Sequence, residues 1–225
     1  MAEPNRGRFD LTPEELAGVD SYRRRKDTAV LTIMFTDIKG FTRITEERGD
    51  AYANDLRRWH DAIVTAAIEE DGAGHVVKHI GDAVMAVFSE PSSAVHKAMA
   101  IQRRLAAANR EHPDQEPILV RIGLHMGQVT TENTVDLDVF GRHVNRASRV
   151  EGPADGGQVF LTYAIFDSAR GWLNGAEDET IAWHLHGDYF VKGITEPLAI
   201  SDFLIPIRNR SCFSEKGLAL FSTHR

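Results

Sequence analysis

The stretch IMFTDIKGFT, Ile33–Thr42, changes abruptly from an apolar strand pattern to a polar turn. Its β-branched and aromatic residues are typical of a buried strand, and we predict a strand over Ala29–Ile38. A carboxylate, Asp37, lies where this strand leaves the core, just before Lys39 and Gly40. One interpretation is an ordinary strand-end turn, because Asp and Gly are common turn residues. The other is a carboxylate held at the edge of a cleft to bind a cation.

The segments that follow predict the fold class. Apolar residues recurring every three or four positions predict helices over Thr42–Glu70 and Ser92–Glu111. Between them, HVVKHI and AVMAVF are separated by Gly81 and Asp82, a pair typical of a tight hairpin. ILVRIGLHMG predicts a further strand. The order β-α-β-β-α-β predicts an α+β, ferredoxin-like βαββαβ core, with an antiparallel sheet and its helices on one face. The predicted apolar stripe of the first helix is Tyr52, Leu56, Trp59, Ile63 and Ala66.

Further elements are predicted after this core. GRHVNRASRVEG is typical of a short helix that ends at Gly152 and Pro153. Apolar runs beyond it predict additional C-terminal strands and helices. We expect residues 1–27 to form a tail or linker, residues 28–207 to form the single folded domain, and residues 208–225 to form a second tail.

Composition excludes several classes of protein. Of the 225 residues, 42% are hydrophobic and 26% charged, and no apolar run is long enough for a transmembrane helix. The formal net charge of −7 argues against a general nucleic-acid binder. The N-terminal residues have no signal-peptide pattern, and Cys212 is the only cysteine, so we expect a cytoplasmic protein without membrane insertion.

Two carboxylates are predicted to converge. In the predicted topology the first strand ends beside the hairpin, which places Asp37 close to Asp82. Such a pair suits Mg²⁺ or Mn²⁺. The backbone of Ile38–Thr42 turns into a helix, whose free N–H groups and dipole favour phosphate oxygens. Paired metals beside a phosphate cradle are suited to phosphoryl chemistry. The common P-loop and dinucleotide-binding motifs and the zinc patterns do not occur, and His75, His79 and His125 are interpreted as structural or surface residues.

Five segments in register resemble one known family. FTDIKGFT, VVKHIGDAVMAVF, VRIGLHMGQV, DVFGRHVNRASRVEG and YFVKGITEPLAI resemble the catalytic domain of class III nucleotidyl cyclases. The resemblance extends from about Ala29 to Leu204. It implies a ferredoxin-like α+β fold and homodimers whose active sites lie at the subunit interface.

The resemblance also implies roles for the residues that bind metal and triphosphate. Asp37 and Asp82 correspond to the metal-binding aspartates, and the carbonyl of Ile38 is expected to bind one ion. Arg121 and Lys192 match positions that contact the triphosphate, although an ion pair at a sheet face is an alternative for Arg121. The predicted phosphate cradle consists of Ile38, Lys39, Gly40, Phe41 and Thr42.

Four further matches imply the base pocket and the reacting centre. Lys78 and Asp138 match the pair that reads the purine, and Asp136 is a second aspartate two positions before Asp138. A lysine can donate to adenine N1 while a carboxylate accepts from the adenine amine, so ATP is favoured over GTP. Asn145 and Arg149, four residues apart, match the pair that orients the ribose and stabilises charge on the α-phosphate.

The sequence therefore predicts an adenylate cyclase that converts ATP to 3′,5′-cyclic AMP and pyrophosphate with two divalent cations, Mg²⁺ or Mn²⁺. We expect a homodimer with shared active sites, and regulation through a sensor domain or protein in another chain. Two alternatives stay open. One is a guanylate cyclase, and the other is a cyclase-like regulatory module that binds a nucleotide without turnover.

Overall fold

The computed structural model describes residues 27–133, 137–173 and 181–204. In chain order, the helices and strands of these residues are β1 (Thr28–Ile38), α1 (Phe41–Arg48), α2 (Asp50–Glu69), β2 (Gly74–Ile80), β3 (Ala83–Phe88), α3 (Pro91–Glu111), β4 (Val120–Asn133), β5 (Leu137–Phe140), α4 (Arg142–Val150), β6 (Val159–Thr162), α5 (Tyr163–Ala169), β7 (Ala182–Tyr189) and β8 (Leu198–Leu204). The two predicted tails lie almost entirely outside the described residues.

One sheet of eight strands organises the chain. Its order is β2-β3-β1-β4-β6-β8-β7, and β5 pairs with β4 outside this path. The pairing of β4 with β6 is parallel, whereas every other pairing among the described strands is antiparallel. The first part reproduces the predicted βαββαβ order, with β1 in the centre between β3 and β4. None of the described helices has the length and apolar character needed to cross a membrane.

The central strand is mostly apolar, and both of its faces are buried from Thr32 to Thr36. Met34 and Ile38 point into the larger core, which also receives α2, α3 and α5. Ile33 and Phe35 point to the opposite face, where they pack in one cluster with Ala147 of α4. The helices of the predicted βαββαβ core, α1 to α3, all pack on the face of the larger core, as predicted, and the additional helix α4 covers part of the other face. Successive side chains of a strand point to opposite faces, so a strand that is covered on both faces has apolar residues at successive positions. This accounts for the apolar run that precedes Asp37.

The first predicted helix is two helices. The range Thr42–Glu70 is interrupted at Gly49, which has φ 84° and ψ 162° and therefore ends α1 and starts α2. The buried face of α2 also differs from the predicted stripe, because His60, Val64 and Ala67 are buried whereas Ala66 is exposed. The shift arises because a buried histidine and alanines carry no strong hydrophobic signal in the sequence.

The strand β5 was not predicted. Its residues pair with the end of β4, from Thr130 opposite Phe140 to Asn133 opposite Leu137. β5 has only the four residues LDVF, too few for an alternation pattern to identify it, so its hydrogen bonds to β4 define it as a strand. As a result β4 runs to Asn133, beyond the predicted ILVRIGLHMG, and Asp138 is placed on β5.

A glycine on β4 lets the end of α4 approach the sheet. A Cβ atom at Gly123 would lie 2.4 Å from the backbone nitrogen of Glu151 and 2.8 Å from its Cα. Because the obstructing atoms belong to the backbone, a side chain here would push the end of α4 away from β4.

We therefore expect Gly123→Ala to lower the free energy of unfolding by about 1–3 kcal/mol, the usual cost of overpacking a well-packed site. Chemical denaturation of the two proteins measures the difference. Gly171→Ala is the matched control, since a Cβ there meets nothing within 4 Å. Equal stability of Gly123→Ala and the unmodified protein would contradict the close approach.

Candidate active site

The ends of β1, β3 and β4 bring two carboxyl groups together. Thr36 pairs with Val84, so Asp37 and Asp82 lie at the same end of neighbouring strands. The Asp82 carboxylate accepts a hydrogen bond from the Ile38 N–H and is hydrogen-bonded to Asp37. Burial, followed by the negative charge of Asp37, raises the pKa of Asp82 from 3.8 to about 6. The predicted convergence of the two aspartates is observed.

Arg121 lies between the carboxylates and the end of α4. It is the cross-strand partner of Asp37, and its Nε donates to Asp37 Oδ2 at 2.8 Å, while Nη2 contacts the same oxygen. Its Nη1 donates to the Gly152 carbonyl at 3.3 Å. Arg121 therefore forms an ion pair at the sheet face, which is the alternative role that the sequence analysis gave it. Its partner in this pair is Asp37, one of the predicted metal ligands.

Glu151 is a site residue that the sequence analysis missed. Its Oε2 lies 3.3 Å from Arg121 Nε, and its side chain is only 15% exposed. Burial raises the pKa of Glu151 to about 7; the charge of Arg121 opposes this rise, and those of Asp37 and Asp82 reinforce it. The only signal in the sequence is its place just before Gly152, at the end of the helix that carries Arg149.

The predicted phosphate cradle is present in part. Gly40 has φ 75° and directly precedes α1, so the N–H groups of Phe41 and Thr42 have no intrahelical acceptor. The N–H of Lys39, however, donates to the Leu119 carbonyl at 2.8 Å and is not available to a phosphate. The Lys39 side chain pairs with Asp155 at the edge of the same cluster.

A second group of predicted residues lies on β2 and β5. Lys78 Nζ donates to both carboxylate oxygens of Asp138, at 2.7 and 2.8 Å, and lies 5.3 Å from the centre of the Phe140 ring. The hydrogen bond from Lys78 lowers the pKa of Asp138. Asp138 is thus the acidic partner of Lys78, while Asp136 lies outside the described residues.

Lys78 and Phe140 line an open cavity of about 680 Å³, while Asp138, the partner of Lys78, does not line it. Asn145 at the start of α4 reaches the same cavity, while Arg149 one turn later is exposed and does not line it. Neither the Asn145 nor the Arg149 side chain forms a hydrogen bond or ion pair within the described part of the chain, so both can bind a ligand. The cavity is lined by Phe35, Lys78, Ile80, Met85, Val139, Phe140, Gly141, Arg142, Val144, Asn145 and Ser148.

The helix that carries Asn145 is fixed by a pair of imidazoles. His125 Nε2 lies 2.9 Å from His143 Nδ1, and His125 Nδ1 lies 3.1 Å from Thr162 Oγ1. Burial, with the nearby charges of His143 and Arg146, lowers the pKa of His125 to about 4, so the pair is neutral near pH 7. His125 is therefore structural, as predicted.

Lys192 is not brought into either group. It is exposed in the turn between β7 and β8, next to Gly193 with φ 83°. Across the described ranges it forms no ion pair with the carboxylates or with Asp138. Its contact with a triphosphate stays a prediction.

The donor set at the sheet end fits Mg²⁺ or Mn²⁺. Residues 27–133, 137–173 and 181–204 contain no group of three or more His, Cys, Asp or Glu side chains that could hold a metal alone. Mg²⁺ in phosphoryl-transfer sites is usually bound by one or two carboxylates together with substrate phosphates and water, which matches Asp37 and Asp82. A cation bound between two neighbouring carboxylates would also relieve the repulsion between them.

The sequence is similar to known cyclases. The family described as "Adenylate and Guanylate cyclase catalytic domain" matches residues 23–205. A putative adenylate cyclase 3 of Rhizobium meliloti is 33% identical over 182 residues, covering 80% of this chain and 28% of that protein. An adenylate cyclase of Anabaena cylindrica is 36% identical over 138 residues, covering 56% of this chain and 27% of its own length. The chain thus spans less than a third of these relatives.

Solved structures share the fold. The adenylyl cyclase CyaB from P. aeruginosa superposes with a TM-score of 0.70 and 24% identity, covering 80% of this chain and 96% of that one. The guanylyl cyclase Cya2 has a TM-score of 0.67 and 22% identity, covering 79% and 93%. The predicted α+β fold is confirmed. Since one neighbour is an adenylyl and the other a guanylyl cyclase, the fold does not distinguish the two substrates.

The raised pKa of Asp82 predicts how stability depends on pH. Because the folded state holds the Asp82 proton more tightly than the unfolded chain, stability falls as pH rises from about 4 to about 6. In the presence of EDTA, Asp82→Asn should therefore be more stable than the unmodified protein at pH 7.5. About 1 kcal/mol is expected, because half-exposure screens the full effect.

Denaturation curves at pH 4 and pH 7.5 measure this difference, which should disappear at the lower pH. Asp55→Asn removes an exposed carboxylate of α2 and is the control. A loss of stability in Asp82→Asn at pH 7.5 would contradict the repulsion between the two carboxyl groups.

Proposed function

This chain belongs to the family of adenylate and guanylate cyclase catalytic domains, and we propose that it converts ATP to 3′,5′-cyclic AMP and pyrophosphate. The observation that carries the choice of ATP is the Lys78–Asp138 contact beside the cavity of about 680 Å³. We further propose that residues 28–207 form the catalytic domain and that the reaction takes place in the cytoplasm.

The Lys78–Asp138 pair is complementary to adenine. Adenine N1 accepts a hydrogen bond, which the Lys78 ammonium can donate, and the exocyclic amine donates one, which the Asp138 carboxylate can accept. Guanine presents a donor and an acceptor in the reverse order, so each protein group would face a group of its own kind. A site whose polar groups are matched to one hydrogen-bonding pattern discriminates against the reversed pattern, because the groups are then left unpaired. The apolar lining, with Phe35, Met85 and Val139, suits the flat faces of the purine.

The aspartate pair would hold the cofactors. Two divalent cations, Mg²⁺ or Mn²⁺, bound by Asp37, Asp82 and the Ile38 carbonyl, would lower the pKa of the ribose 3′-hydroxyl and neutralise charge on the polyphosphate. The free N–H groups of Phe41 and Thr42 face the same end of the sheet and would donate to phosphate oxygens. Arg121 adds a positive charge at this end.

Asn145 and Arg149 would act on the reacting centre. They are four residues apart on α4 and therefore share one face of the helix. We assign the Asn145 amide to orienting the ribose, since it reaches the cavity that holds Lys78. The Arg149 guanidinium would offset the negative charge that builds on the α-phosphate in the transition state. Its exposure leaves all of its donors available.

A homodimer with shared sites accounts for the exposed apolar groups beside the cavity. Ile80 and Phe140 line the cavity, yet remain 49% and 43% exposed. A second subunit that covers this face would bury them and bring its Asp37 and Asp82 to the nucleotide, giving two equivalent sites by symmetry. We propose this arrangement, with ATP as the substrate and regulation from a sensor domain or protein in another chain.

The two alternatives have weaker support. A guanylate cyclase is disfavoured by Lys78 and Asp138, whose donor and acceptor suit adenine. A non-catalytic module is disfavoured because the residues for metal, base and transition state are all present. These six residues are Asp37, Asp82, Lys78, Asp138, Asn145 and Arg149.

Incubating the purified protein with Mn²⁺ and either ATP or GTP tests the proposal, with mass spectrometry of the products. Cyclic AMP should form, and cyclic GTP much more slowly. Asp37→Ala should lower the rate by about 10²-fold or more, the scale of losing a charge-stabilising group. Asp55→Asn should react normally. If neither cyclic nucleotide forms, the proposed enzymatic activity is contradicted. A preference for GTP would favour the guanylate cyclase.

Substitution of both Lys78 and Asp138 should change the preference between ATP and GTP. In Lys78→Glu/Asp138→Cys the donor and acceptor edges are swapped, so the ratio of kcat/KM for ATP over GTP should fall by at least about 10-fold. The single variant Lys78→Glu, which leaves two acidic groups at the base, should react poorly with both nucleotides. If the double variant keeps its full ATP preference, this pair does not read the base.

A further inference from the structure

Glu151 is a largely buried glutamate, and its hydrogen bonds within the described residues do not account for the presence of a carboxylate at this position. Its Oε2 is buried and accepts no hydrogen bond from the described residues, although Arg121 Nε lies 3.3 Å away. An unsatisfied buried carboxylate oxygen costs free energy, so such a group in a folded chain calls for an explanation other than stability. Its position is nonetheless fixed, because the close contact with Gly123 holds its backbone against β4.

The surroundings of Arg121 suggest the explanation. Arg121 Nε donates to Asp37 at 2.8 Å and Nη1 donates to the Gly152 carbonyl at 3.3 Å, with Glu151 as the second carboxylate. The acceptor that Arg121 uses on Asp37 is the carboxylate that the proposed function assigns to the metal ions. The same oxygen cannot bind a cation and keep its contacts with a guanidinium unchanged. Arg121 would then stand beside two divalent charges without Asp37 as its partner.

We propose that Glu151 is a positioning residue that holds Arg121 at the site when Asp37 binds metal, so that Arg121 can donate to the triphosphate. This inference rests on the proposed function. The vacant acceptor Oε2 of Glu151 then takes the Nε–H that Asp37 releases, and the Gly152 carbonyl keeps Nη1. The negative charge of Glu151 offsets the repulsion between the guanidinium and the cations, and Nη2 becomes free for a phosphate oxygen. Glu151 itself contacts no reacting atom.

Binding of a non-reacting nucleotide tests the inference without relying on activity. The probe is 3′-deoxy-ATP with Mn²⁺, which lacks the attacking hydroxyl, and its affinity is measured by calorimetry. Glu151→Gln, which keeps the shape and removes the charge, should bind it about 10-fold more weakly, as for a lost charge-assisted contact. In the Arg121→Ala background the same substitution should have almost no further effect. Glu70→Gln removes the carboxylate of a remote Glu70–Arg104 pair and should leave the affinity unchanged.

The stability of the metal-free protein distinguishes a role of Glu151 in positioning Arg121 from a role in stabilising the fold. Since Glu151 has an unsatisfied oxygen, Glu151→Gln should be at least as stable as the unmodified protein in EDTA at pH 7.5. Unchanged nucleotide affinity, an equal loss in the Arg121→Ala background, or a clear loss of stability would each overturn the role of Glu151. Failure of the unmodified protein to bind 3′-deoxy-ATP would instead contradict the proposed function, and this inference would fall with it.

A second measurement uses the unmodified chain and does not depend on a variant folding. With Mg²⁺ and 3′-deoxy-ATP, the Arg121 Nε–H should stay protected from solvent exchange in ¹⁵N NMR spectra, because Glu151 accepts it. The signal is assigned by its absence in Arg121→Lys. Exchange as fast as that of Arg58, whose side chain is 74% exposed, would overturn the proposal.

Discussion

The arrangement of three carboxyl groups around one guanidinium is the constraint on which the site depends. Asp37, Asp82 and Glu151 carry more negative charge than Arg121 can neutralise, and the pKa values of Asp82 and Glu151 are raised to about 6 and about 7. Asp37 and Arg121 lie on the neighbouring strands β1 and β4, and Asp82 lies in the turn that leads into β3, the other neighbour of β1, so these groups cannot move apart without breaking the sheet. Such a cluster is costly unless further positive charge offsets the repulsion among its carboxylates.

The same cluster joins the two halves of the candidate site within one chain. The helix α4 carries Asn145 and Arg149 and ends at Glu151, which contacts Arg121. The His125–His143 contact and the missing side chain of Gly123 fix this helix on β4. A change at the aspartates can thus reach the helix of Asn145 and Arg149 through one arginine and one glutamate. Coupling through a short chain of packed polar groups requires no large motion.

The sequence was sufficient to predict those features for which the local residue pattern agrees with the overall fold. The central strand, the Gly81–Asp82 hairpin and the convergence of Asp37 with Asp82 follow from alternation, turn chemistry and strand order, and the family resemblance is confirmed by the match over residues 23–205. The break at Gly49, the strand β5 and the position of Glu151 were not predictable in this way. Each depends on contacts between distant segments, and such contacts leave no periodic signal.

The central claim is that the aspartate pair of one chain acts together with Asn145 of another, and mixing two inactive variants tests it most directly. Asp37→Ala and Asn145→Ala homodimers should each be inactive. After subunit exchange about half of the dimers are mixed, and each has one intact site, so about a quarter of the activity of the unmodified protein should return. No production of cyclic AMP, with exchange confirmed independently, would contradict a site shared between two chains.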